Sequence, residues 1–69
     1  MEKVYQVGMI IGGVLLNLDV VEKVIAEISS ILTCKDTFFQ FQDIHGIAYV
    51  IKIGSIEMIR WSESYEVEQ

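Results

Sequence analysis

Residues 38–61 read FFQFQDIHGIAYVIKIGSIEMIRW, and two glycine turns within them decide the expected fold. Gly54-Ser55 is a two-residue loop with glycine first, the chemistry of a type II′ hairpin. That loop pairs Ile53 with Ile56, Lys52 with Glu57, Ile51 with Met58, Val50 with Ile59, Tyr49 with Arg60 and Ala48 with Trp61. Lys52 and Glu57 then form a cross-strand ion pair, and small Ala48 leaves room for Trp61. The other turn has two candidate lengths. A two-residue His45-Gly46 loop puts the amides of Gln40 and Gln42 on the apolar face beside Tyr49, Ile51 and Ile53. A three-residue Ile44-His45-Gly46 loop, with Gly46 left-handed, pairs Phe41 with Tyr49 and Phe39 with Ile51. A one-residue slip inverts every side chain, so the hydrophobic pattern selects the three-residue loop.

The expected product is a three-stranded meander with two unlike faces. Phe39, Phe41, Tyr49, Ile51, Ile53, Ile56 and Met58 form an apolar face that wants a cover. Phe38, Gln40, Gln42, Val50, Lys52, Glu57, Ile59 and Trp61 form a mixed face, an apolar centre with a polar margin, as interfaces have. The cover lies upstream. Val20, Val21, Val24, Ile25, Ile28, Ile31 and Leu32 fall on one helical stripe, opposite Glu22, Lys23, Glu27 and Ser30. Asp19, with Glu22 three residues on, has the spacing of a capping box. Core packing accounts for the stripe. Residues 33–37 (TCKDT) are a polar connection.

Before the helix, Tyr5, Val7, Met9 and Ile11 alternate with Val4, Gln6, Gly8 and Ile10, the period of a strand. Gly12-Gly13 suits a two-residue hairpin turn and sets Ile11 against Val14 and Met9 against Leu16. A continuous strand bent at a glycine bulge is the competing reading. After the meander, residues 62–69 (SESYEVEQ) are either an acidic tail or an extension of the last strand. Glu63, Tyr65 and Val67 continue the parity of Ile59 and Trp61, so such an extension would pair with a neighbouring protomer. The expected fold is therefore α+β: one domain over residues 1–69, a small antiparallel sheet, and the order ββαβββ.

Composition bounds the function. A chain of 69 residues is marginal as an isolated core, and natural domains of this size draw on disulfides, metals or oligomerisation. Cys34 has no partner cysteine, and with His45 it supplies too few ligands for a structural zinc. A composition 52% hydrophobic, with mean hydropathy +0.44, predicts an apolar surface and a homo-oligomer. A net charge of −5 disfavours binding along a nucleic-acid backbone and suits a basic protein surface. The apolar run 7–16 is about half the ~20 residues of a spanning helix, and no cleavage site follows it. With one unpaired cysteine, a cytoplasmic location is expected and no membrane role.

Catalytic chemistry has little to stand on. His45 beside Asp43 lacks partners for acid–base work. Cys34 beside Lys35 lacks a base. The glycines match neither a P-loop nor a dinucleotide fingerprint. No enzyme and no cofactor is expected. A protein interface is assigned to Phe38, Gln40, Gln42, Val50, Ile59, Trp61 and Tyr65. A small anionic ligand would fall to Lys35, Tyr49, Lys52 and Arg60; the register sends Lys52 and Arg60 to opposite faces, so a shared pocket would need two subunits.

Three functions follow as expectations. The first is a non-enzymatic, acidic, homo-oligomeric binding protein. In this style the chain resembles the accessory proteins with which phages and mobile elements block a host protein. The second is an oligomeric binder that sequesters an anionic, nucleotide-type signal between subunits. The third is a structural or assembly subunit.

Overall fold

The computed structural model describes residues 2–67, with side-chain environments for residues 3–63. The elements are β1 (Glu2–Ile11), β2 (Val14–Val21), α1 (Glu22–Ile31), β3 (Phe38–Gln42), β4 (Ala48–Lys52), a short 3-10 turn (Ile53–Ser55) and β5 (Ile56–Val67). The strands form two antiparallel sheets, one in the order β2-β1-β5 and one a β3-β4 ribbon. The α+β class and the ββαβββ order are those expected.

The β1-β2 hairpin turns at Gly12-Gly13, whose φ angles of 59° and 79° are the positive values such a loop requires. Ile11 faces Val14 and Met9 faces Leu16, and the pairing runs on to Val4 and Val21. The β3-β4 ribbon also keeps the predicted register: Phe39 faces Ile51, Gln40 faces Val50, and Phe41 faces Tyr49. Gly46 is left-handed at φ 81°, and the loop closes through the Asp43 amide donating to the Ile47 carbonyl. Phe41 stacks between Phe39 and Tyr49, at centroid distances of 5.4 and 5.3 Å.

α1 and the ribbon cover the same face of the three-stranded sheet. Val7, Met9, Leu18 and Val20 from the sheet, Ile25 and Ile28 from α1, and Phe39, Phe41, Ile51 and Ile53 from the ribbon and turn make one buried cluster. Burying such side chains is the dominant stabilising term. The helix presents the expected stripe, with Val24, Ile31 and Leu32 half-buried along the core and Glu22, Lys23, Glu27 and Ser30 in solvent.

Two features of the expected fold are corrected. The first is the third strand of the meander. Residues 53–55 form a 3-10 turn, not a II′ loop, and β5 leaves the ribbon to pair with β1, setting Trp61 opposite Val7 and Ile59 opposite Met9. The Ile53 amide donates to the Thr37 carbonyl and that of Gly54 to the Lys35 carbonyl, which extends the ribbon towards residue 35. The ion pair of Lys52 with Glu57 and the pairing of Ala48 with Trp61 therefore do not form. Glu57 instead sits at a bulge between the pairs Ile10–Met58 and Ile11–Ile56, and its Oε1 accepts from the Gly13 amide at 2.7 Å. Met58 moves to the outer face of the three-stranded sheet. The extension of β5 to Val67 pairs with β1 of the same chain, down to Glu2, not with a neighbour; residues 68–69 lie outside the described residues.

The second correction is the start of the helix. Asp19, Val20 and Val21 are in β2; Val21 is the N-cap, and no side chain among the described residues caps α1. The hairpin ladder against β1 claims these residues. Val20 is buried opposite Tyr5, and β-branched residues are at ease on a pleated surface.

Candidate binding surfaces

The ribbon's outer face carries Phe38, Gln40 and Gln42 on β3 and Ala48, Val50 and Lys52 on β4. Phe38 is 66% exposed and Val50 63%. They are diagonal neighbours across the ribbon, since Phe38 faces Lys52 and Gln40 faces Val50. Both glutamines are in solvent beside them. The structure therefore brings four of the predicted interface residues onto one face that nothing among the described residues covers. It does not add the other three. Ile59 is half-buried against the core. Trp61 is 38% exposed on β5. Tyr65 falls opposite Val4 on the same strand, and its side chain lies outside the described residues.

The predicted anion ligands are dispersed. Lys52 is on the ribbon face, Arg60 on the three-stranded sheet, and Lys35 in the turn before β3. Tyr49 is turned to Asp43. That carboxylate organises the β3-β4 loop: Oδ1 accepts from the His45 and Ile47 amides at 2.9 and 3.0 Å, and Oδ2 accepts from the Tyr49 hydroxyl at 3.1 Å. Burial pushes the Asp43 carboxyl upward, but the hydrogen bonds from Ile47, Tyr49 and His45 outweigh it and leave the group below its ordinary range. Burial, then the bond to Asp43, raises the Tyr49 phenol. At the far end of the sheet Lys3 meets Glu63 at 3.5 Å, and that carboxylate holds the ammonium above its usual value.

The outer face of the three-stranded sheet is organised in rows. Gln6 lies between Asp19 and Ser62, Gly8 between Asn17 and Arg60, and Ile10 between Leu15 and Met58. The first two rows floor a groove of about 520 Å³, rimmed by Asp43 and His45 of the β3-β4 loop. That loop docks on the edge of β2 through the Ile44 amide, which donates to the Asp19 carbonyl at 2.9 Å. The Gln6–Asp19 and Gly8–Asn17 pairs follow from the Gly12-Gly13 turn and were within reach of sequence reading. The arrival of Arg60 beside them was not, because it depends on β5 pairing with β1.

Among the described residues no cluster of three or more His, Cys, Asp or Glu side chains is placed to hold a metal ion, and no helix is long and apolar enough to cross a membrane. Cys34 is free and exposed. Comparison with protein-family models, with curated proteins and with solved structures returns no match.

Proposed function

We propose that this chain is a non-enzymatic, homo-oligomeric binding protein that uses the outer face of its β3-β4 ribbon. The observation that supports this reading is the pair Phe38 and Val50, each about two-thirds exposed on a face that no element among the described residues covers. Placing a phenyl ring and an isopropyl group in water costs free energy that a second apolar surface recovers. The flanking Gln40, Gln42 and Lys52 supply a polar rim. A second copy of the chain meets these requirements first, because every copy carries the same bare face. The acidic balance extends the reading to a basic protein surface as a further partner, the mode of action of an accessory inhibitor. A cytoplasmic setting suits the free Cys34 thiol.

Light scattering coupled to size exclusion tests the proposal. The wild type should run as an oligomer, and Phe38→Ser combined with Val50→Ser should run as a monomer with α1 intact by circular dichroism. A wild type that is monomeric at micromolar concentration sinks the reading.

A further inference from the structure

The rows across the outer face bring a carboxylate and a guanidinium to the same groove from the two outer strands. Arg60 is on β5 and Asp19 on β2, with β1 between them. Two strand spacings, about 10 Å, and one side-chain step along the strand, about 7 Å, separate their backbones, and the Arg60 side chain reaches over Gly8 into that span. Neither takes part in an ion pair or side-chain hydrogen bond among the described residues. Asp43, the other carboxylate at the groove, is already engaged by two amides and a hydroxyl. The polar side chains left for a ligand are thus the guanidinium of Arg60, the carboxylate of Asp19, the amides of Gln6 and Asn17, the His45 imidazole and the Ser62 hydroxyl.

Gly8 shows that the arrangement is built into the strand. Its φ lies outside the left-handed region, so the backbone makes no demand for glycine. Space does. A Cβ at residue 8 would stand 3.1 Å from Arg60 Nε and 3.3 Å from Asn17 Oδ1. The bare strand allows the arginine to lie over Gly8, across the sheet, instead of standing off it. A planar guanidinium held this way suits a carboxylate, and a free Asp19 suits an ammonium.

We infer that the groove over Gly8 binds a small zwitterion, its carboxylate on Arg60 and its ammonium on Asp19. A volume of about 520 Å³ is ample for an amino acid. The site lies within one chain and is separate from the ribbon face, so it holds whether or not the protein assembles.

The test is a titration of the full ¹⁵N-labelled chain with glycine, β-alanine and γ-aminobutyrate, which vary the distance between the charged ends. Propionate and butylamine carry one end each. At least one zwitterion should give saturable shifts of the amides of residues 6, 8, 17 and 60, with the single-charge probes at least about tenfold weaker. Arg60→Gln and Asp19→Asn should each weaken binding by about tenfold or more. Gly8→Ala should do the same with no fall in Tm, because alanine suits a strand better than glycine does. Ligand-free spectra of each variant report its fold. Flat titrations with all three zwitterions overturn the inference. So does propionate binding as tightly as the zwitterion, or folded Arg60→Gln and Asp19→Asn variants that bind as the wild type does.

Discussion

At Gly54 a carbonyl of the neighbouring turn stands where a side chain would begin. A Cβ there would lie 2.6 Å from the Lys35 oxygen, an atom held by its own hydrogen bond from the Gly54 amide. The glycine is required for close approach of two backbones. Gly54→Ala should therefore cost about 1–3 kcal/mol, the range for overpacking at a site that cannot yield, and chemical denaturation reads it directly. At Asp43 the hydrogen bonds favour the ionised form and depress its pKa on folding. A depressed carboxyl stabilises the fold above its unfolded value and loses that contribution as pH falls through the folded one. The Tm gap between wild type and Asp43→Ala should be full at neutral pH and shrink below about pH 4. A gap that stays constant down to acid pH would remove the carboxylate's charge from the account.

At the scale of elements, α1 depends on its surroundings. It has no side-chain cap among the described residues, and six of its ten residues are β-branched or serine on the exposed and buried faces alike: Val24, Ile25, Ile28, Ser29, Ser30 and Ile31. Its ion pair, Lys23 with Glu27 at 4.0 Å, is exposed and weak. Burial of Ile25 and Ile28 against the sheet holds it. A peptide of residues 19–32 should be mostly unfolded in water by circular dichroism; appreciable helicity would show that the segment carries its own stability. β5 is the opposite kind of element, one whose place is settled by its partner. Its bulge at Glu57 resets the register after Ile11 and frees that carboxylate to close the Gly12-Gly13 turn.

For the molecule as a whole, β5 is what turns a hairpin into a sheet. Without it β1 has an unpaired edge along its length. A chain ending at Ile59 should lose its dispersed amide spectrum and its cooperative thermal transition. Retention of both would mean that the β1-β2 hairpin, α1 and the ribbon are a sufficient core. The same topology divides the surface. The ribbon face and the groove face belong to different sheets, so an oligomer formed through Phe38 and Val50 leaves Arg60 and Asp19 accessible on each chain.

Local chemistry in the sequence determined the parts whose partners are near in the chain. Gly12-Gly13 and Gly46 declare positive φ, and each sets one hairpin register; from those registers come the Phe39–Ile51 and Phe41–Tyr49 pairs and the bare face of Phe38, Gln40, Gln42 and Val50. The helical stripe of Ile25 and Ile28 was legible for the same reason, a period that needs no distant information. The tertiary structure alone decided where β5 goes. Gly54-Ser55 has the composition of a turn, and pairing β5 with β4 produces sensible neighbours, so nothing local opposes the wrong sheet. What opposes it is the long edge of β1, more than forty residues away along the chain, which offers β5 a ladder from Ile11 to Glu2 where the short β4 offers five residues. The β1-β2 ladder had already taken Asp19 from a presumed helix cap to a sheet row; the choice of β5 brought Arg60 over Gly8 beside it, and so created a groove that no stretch of the sequence contains by itself.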